Sequence, residues 1–168
     1  MIRIAVTGPE SSGKTTLCES LATHFEVEYI PEFARTYLEK TKGKYTQVDL
    51  DEIAKGQLKA VNSSKNNVLI SDTDFSVLEV WSLYKYGNVS PLITALVSEN
   101  TFDLHILCTP DIPWEEDPLR ENPTTRDLLF EHYKESLEKY AKHFILVSGG
   151  HSNRLKKCIQ IIEHLLKK

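Results

Sequence analysis

Along this chain, short runs of consecutive apolar residues alternate with longer stretches in which apolar positions recur every three or four residues. The runs are IRIAVT (2–7), VEYI (27–30), NVLISD (67–72), DLHILC (103–108) and HFILVS (143–148). Short runs of this kind read as strands covered on both faces. After the first run, Leu17, Leu21 and Phe25 mark an amphipathic helix, and Leu155, Ile159, Ile162 and Leu166 mark another at the carboxyl end. Residues 46–64 (TQVDLDEIAKGQLKAVNSS) and 74–86 also read as helices. Strands alternating with helices predict one α/β domain over residues 1–168, built on a parallel sheet with helices on both faces. The stretch PDIPWEEDPLRENPTTR (110–126) fits neither period. Its four prolines and many charges predict a loop, and its place in the chain suits a lid. No internal repeat, low-complexity tract or linker interrupts this organisation.

Composition narrows the function classes. A chain of 168 residues, 40% hydrophobic and 26% charged, can bury a core of its own. The net charge is -4, and the 20 basic residues are scattered, so a nucleic-acid partner is not expected. Cys18, Cys108 and Cys158 lie far apart within apolar patterns, which predicts buried thiols in a reducing compartment. No apolar run reaches membrane-spanning length, and residues 2–6 lead directly into a Gly-rich loop with no room for a signal peptide. The expectation is a cytoplasmic protein.

That loop carries the first chemistry. Gly8, Gly13, Lys14 and Thr15 in GPESSGKT satisfy G-x-x-x-x-G-K-[ST], with a strand entering and a helix leaving. In such a loop, glycines let successive N–H groups face phosphate oxygens. Lys14 supplies a mobile cation for the β- and γ-phosphates, and the Thr15 hydroxyl can ligate the bridging magnesium ion. A plain turn is the alternative, but the strand-loop-helix context favours a nucleoside triphosphate site. Neither N/T-K-x-D nor D-x-x-G occurs, which weakens a guanine-nucleotide switch and points to a kinase acting on a small molecule.

A kinase needs a carboxylate near the acceptor hydroxyl and mobile cations for the transferring phosphoryl group. Glu32, Asp72 and Asp74 stand beyond the carboxyl ends of predicted strands, where α/β sheets bind ligands. Asp72 is the natural second metal-site residue. Helix N-capping is the competing role for each acid. Arg35 can pair with Glu32, touch phosphate or form an ordinary intrahelical ion pair. The lid candidate holds Arg120, Arg126, Asp117 and Trp114; Trp114 is either a stacking surface for a flat ring or the loop's hydrophobic anchor. Phe33, Tyr37, Phe75, Trp81 and Tyr84 read mostly as core. SGGHSNR (148–154) is either a border of the nucleotide base or a helix start capped by Ser152.

Taken in order, GPESSGKTTL, PEFARTYLE, IAKGQ, SDTDF and PDIPWEEDPLR followed by Arg126 resemble the ribosylnicotinamide kinase domain of NadR-type bacterial proteins, over residues 1 to about 130. The resemblance implies a P-loop kinase fold with a five-stranded parallel sheet ordered 2-3-1-4-5, ATP with Mg2+, and nicotinamide riboside phosphorylated at its 5'-hydroxyl. It assigns phosphate binding to Gly8, Pro9, Glu10, Ser11, Ser12, Gly13, Lys14, Thr15 and Thr16. It assigns acidic substrate or catalytic positions to Glu32, Asp72 and Asp74, and lid arginines to Arg120 and Arg126. In that strand order Asp72 serves metal and phosphate while Glu32 serves the acceptor. Pro118 departs from the glycine common after the lid aspartate in this family. The other readings are a kinase for another nucleoside and a nucleotide-binding regulator without kinase activity.

Overall fold

The computed structural model describes residues 1–99 and 101–167. Four of the five apolar runs are strands: β1 (Ile2–Thr7), β2 (Val68–Asp72), β3 (Leu104–Cys108) and β4 (Phe144–Val147). They pair in parallel in the order β2-β1-β3-β4. The VEYI run, expected as a fifth, edge strand, makes only one parallel bridge, Ile30 to Ser71. There the Ile30 N–H donates to Ile70 O and the Ile30 carbonyl accepts from Asp72 N, both at 2.8 Å. The sheet is therefore four-stranded. The cause is local: Glu32, the next residue in position to bond to β2, is already the N-cap of a helix, so the chain leaves the sheet there. The four strands keep the mutual order that the five-stranded arrangement implies.

The helices are α1 (Lys14–Phe25), α2 (Phe33–Lys40), α3 (Gln47–Ser63), α4 (Phe75–Tyr86), α5 (Pro91–Ser98), α6 (Arg126–Lys139) and α7 (His151–Leu166). The two-residue alternation of the strands divides the core. Ile4 and Val6 face α1 and α7 through Leu17, Leu21, Cys158 and Ile162. Ala5 and Leu69 face Leu50, Ile53, Phe75, Leu78 and Ile93 of α3, α4 and α5. Each fully buried Leu or Ile contributes about 1.5–3 kcal/mol. Cys18, Cys108 and Cys158 are buried, unpaired thiols, as expected. The N-cap of α7 is Gly150, so Ser152 lies in the first turn and does not cap it. Among the described residues no helix is long and apolar enough to cross a membrane.

Candidate functional site

The register places Val6 beside Asp72 and Thr7 beside Leu107, so the chain beyond Thr7 rises between the ends of β2 and β3. Gly8, at φ 132, passes so close to β3 that a Cβ would lie 2.7 Å from the Cys108 carbonyl oxygen; only glycine fits there. Gly13, at φ 82, is the N-cap of α1. Ser12 Oγ and Lys14 Nζ both donate to the Pro9 carbonyl at 2.8 Å, which closes the loop on itself. Gly8 and residues 10–16 line a cleft of about 250 Å³. The chain thus presents a loop, a lysine and a helix N-terminus to one concavity, an arrangement able to take a phosphate chain.

Of the three sequence-predicted acids, Glu32 lines this cleft, and Asp72 is buried beside it, joined to the lining residue Thr15. Thr15 Oγ1 donates to Asp72 Oδ2 at 2.6 Å. Asp72 Oδ1 is buried with no hydrogen-bond partner among the described residues. Burial pushes the Asp72 carboxyl upward, against the pull of Lys14 and Thr15. A hydroxyl beside a carboxylate with one uncommitted oxygen suits magnesium, which keeps several waters and takes few protein ligands. No group of three or more His, Cys, Asp or Glu able to hold a metal ion occurs among the described residues, and such a magnesium site does not require one.

Glu32 lines the cleft from the α2 side. It is the N-cap residue of α2, yet its carboxylate makes no capping hydrogen bond, so the capping role is not what occupies it. Desolvation raises its carboxyl to about 7, with Lys14 opposing and Asp72 and Glu10 adding to the shift. Its position is secured by residues that had no chemical signal of their own. Gln57 Oε1 accepts from Phe33 N at 2.8 Å, and Gln57 Nε2 donates to Ser71 Oγ at 3.0 Å. Gly56 leaves space for the Phe33 ring, which a Cβ would meet at 2.2 Å. The IAKGQ stretch is therefore the seat of Glu32.

Asp74 is not part of the cleft. Thr73, at φ 78, turns the backbone between the two aspartates. Asp74 accepts from Thr7 Oγ1 at 2.8 Å and Ser76 Oγ at 2.5 Å, and lies 3.3 Å from His105 Nε2. Burial alone would raise its carboxyl; His105, Ser76 and Thr7 outweigh that and hold it low. The expected substrate contact gives way to a structural one.

Residues 110–125 have no regular helix or strand and lie over the cleft. Glu115 N donates to Ser11 Oγ at 2.9 Å, and Glu121 N and Asn122 N donate to Glu10 Oε2 at 3.1 and 3.0 Å. Arg35 Nη2 donates to Asp117 Oδ2 at 2.8 Å while its Nε pairs with Glu39. Of its three readings, the intrahelical pair is present, together with a clasp on the lid. Arg120 lines the cleft and donates to the Glu115 carbonyl. Arg126 does not line it: Nη1 donates to Ser11 O and Ile112 O, both at 3.0 Å. Trp114 is outside the cleft wall as well, with Arg120 Cζ 5.9 Å and Arg126 Cζ 5.7 Å from its ring centroid. The indole thus has two arginines near its ring and lies outside the residues that line the cleft.

Part of the cleft wall is aromatic. Tyr45, Trp81 and Tyr84 line it with Leu38, Val80 and Tyr133. Tyr45 OH accepts from Trp81 Nε1 at 2.7 Å and donates to Glu121 Oε2 at 3.2 Å. Trp81 and Tyr84, expected as core, are walls. Tyr45, a lone aromatic in TKGKYT, carried no periodic signal. Arg154 was also missed: it is buried behind the loop and donates to Ser12 O at 2.7 Å. Only its place in SGGHSNR hinted at the ligand face.

A parallel α/β sheet with a phosphate loop after its first strand and a lid over the loop defines a P-loop, kinase-like fold. The chain belongs to the AAA domain family, which matches residues 3–154. Within it the likeness is to NadR proteins. The chain is 30% identical, over 97% of its length, to the trifunctional NAD biosynthesis/regulator protein NadR of Escherichia coli (strain K12), and spans 42% of that relative. It superposes on a crystal structure of NadR protein in complex with NR at TM-score 0.79 and 21% identity, covering 97% of this chain and 51% of the other. A second, in complex with NAD and AMP-PNP, gives TM-score 0.79 and 24% identity, covering 97% and 49%. The domain is NadR-like.

Proposed function

We propose that this chain is an ATP-dependent kinase that phosphorylates the 5'-hydroxyl of nicotinamide riboside, yielding nicotinamide mononucleotide. One observation carries the reading. Glu32, with its carboxyl raised to about 7 and no capping bond to make, lines the same cleft as Lys14 and the phosphate loop. A carboxylate that gains and releases a proton near neutrality is what an acceptor hydroxyl needs. The aromatic walls Tyr45, Trp81 and Tyr84 suit a flat base, and the NadR structure in complex with NR supports this choice of acceptor.

In this reading the loop amides and Lys14 bind the β- and γ-phosphates. Glu32 orients the 5'-hydroxyl and takes its proton as that oxygen bonds to the γ-phosphorus and the bond to ADP breaks. Arg120 balances charge on the transferring oxygens. The lid excludes water that would otherwise compete as acceptor. Thr15 and Asp72 would hold magnesium, which supplies charge neutralisation on the phosphates. The test is ADP release from MgATP across a panel of nucleosides. Release that depends on nicotinamide riboside supports the reading; release that no nucleoside accelerates makes the chain a nucleotide-binding regulator instead.

A further inference from the structure

We propose that Arg154 and Arg126 are positioning residues that aim the phosphate loop's amides into the cleft from behind. The inference rests on the reading that this loop holds a phosphate chain, and adds residues to it. Ser11, Ser12 and Gly13 line the cleft; neither arginine is among its lining residues. Arg126 Nη1 donates to the Ser11 carbonyl at 3.0 Å, and Arg154 Nη1 donates to the Ser12 carbonyl at 2.7 Å. No peptide bond among the described residues is cis. In a planar trans peptide, the C=O and the following N–H point in opposite directions. Two consecutive carbonyls held outward by guanidinium groups therefore turn the N–H groups of Ser12 and Gly13 inward, where a phosphate oxygen would sit.

The rest of the Arg154 environment explains why the grip is firm. Arg154 is only 3% exposed. Its Nε donates to Gly149 O at 2.8 Å and Nη2 to Thr109 O at 3.0 Å, and it pairs with Asp111. Asp111 is itself held by Gly149 N at 2.6 Å and Thr109 Oγ1 at 2.7 Å. The guanidinium is thus bolted to the ends of β3 and β4. Peptide rotation is easiest where a glycine follows, and Gly13 is that glycine; Arg154 removes the freedom before the anion arrives. A cation behind each peptide also polarises it, making the inward N–H a stronger donor. Arg126, by the same geometry, acts on the donor phosphates through the loop rather than by touching the transferring group.

The test is calorimetric titration with inorganic tripolyphosphate and with ATP, using wild type, Arg154→Met, Arg154→Lys and Arg126→Met, with folding checked by circular dichroism. Each variant should bind both anions roughly tenfold or more weakly. The KM for ATP should rise while the KM for the riboside stays put, a split that general loosening would not produce. In 15N-labelled wild type the Gly13 amide resonance should move on tripolyphosphate binding, and this response should shrink in Arg154→Lys. Folded variants that bind tripolyphosphate as wild type does overturn the proposal. Full recovery in Arg154→Lys would reduce the role to charge and overturn the orienting function. If Arg154→Met does not fold, Arg154→Lys and Arg126→Met decide. If wild type binds neither anion, the phosphate-loop reading itself has failed and this inference falls with it.

Discussion

Thr15 Oγ1 and Asp72 Oδ2 are 2.6 Å apart, a hydrogen bond that ties the first turn of α1 to the end of β2. It leaves Asp72 Oδ1 buried and without a partner among the described residues. A buried carboxylate oxygen left that way is costly unless something else comes to it. Through that uncommitted oxygen Asp72 would, with Thr15, hold magnesium, which would supply charge neutralisation on the phosphates. Asp72→Asn should raise the magnesium concentration needed for half-maximal activity by about 10–100-fold. A magnesium titration of kcat checks this; an unchanged midpoint in the variant removes Asp72 from the metal site.

In the proposed reaction, Glu32 sets the acid limb of the pH profile. Its carboxyl lies at about 7 in the folded chain against 4.5 ordinarily, chiefly through desolvation. If the deprotonated form is the base, as proposed, kcat/KM climbs as pH rises through about 7. Glu32→Gln should abolish that limb and lower kcat by about 100-fold or more.

Stability should move in the opposite sense. A carboxyl whose folded value is raised holds its proton more tightly in the folded state. Its stabilising contribution is present below pH 4.5 and is lost as pH rises through about 7. Glu32→Gln should therefore be more stable than wild type at pH 8, by something on the order of 2 kcal/mol, and should match it near pH 4. Denaturant melts at the two values decide it; equal stability at pH 8 would mean that Glu32 is not strained by its desolvation.

Gly56 and Gln57 position Glu32 from α3. A Cβ at 56 would meet the Phe33 ring at 2.2 Å, so Gly56→Ala should cost about 1–3 kcal/mol through overpacking. Gln57→Leu strands the Phe33 N–H and should cost about 1–3 kcal/mol. Both should reduce turnover of the riboside more than they change the KM for ATP, because they disturb the side of the cleft proposed for the acceptor. An altered KM for ATP alone would contradict the assignment of that side.

The lid clasp between Arg35 and Asp117 is a surface pair, worth about 0.2–1 kcal/mol at most to stability. Its value is in closure. Arg35→Ala and Asp117→Ala should each raise ATP hydrolysis in the absence of acceptor relative to transfer, and should speed proteolysis within residues 110–125. Arg120→Ala, by contrast, should lower kcat by about 100-fold with little change in ATP affinity. If the hydrolysis ratio is unchanged in both clasp variants, the lid closes without them.

Much of this was legible in the pattern of residues. The apolar runs located β1, β2, β3 and β4, and the loop from Gly8 to Thr16 announced itself by spacing and context. What the pattern hid depends on single backbone events. The VEYI run has the composition of a strand, but the chain turns into α2 at Glu32 and the pairing ends after one bridge. Asp72 and Asp74 look equivalent in SDTDF until the φ of 78 at Thr73 sends them to different neighbours. Trp81 and Tyr84 keep the helical spacing of core residues while facing a cleft, since spacing reports a face and not what covers it. Arg154 contacts the loop from 142 positions away in sequence, a closeness created only by the return of α7 against α1.

The central claim is that one phosphoryl group moves from ATP to the 5'-oxygen of nicotinamide riboside in this cleft. Mass spectrometry of the riboside, incubated with the purified chain, ATP and magnesium, tests it most directly, with Lys14→Ala as the parallel sample. The account predicts a 5'-monophosphate formed mole for mole with ADP by wild type, and a rate lower by several orders of magnitude in Lys14→Ala. An unmodified riboside alongside accumulating ADP, or a phosphorylated product formed equally well without Lys14, would contradict it.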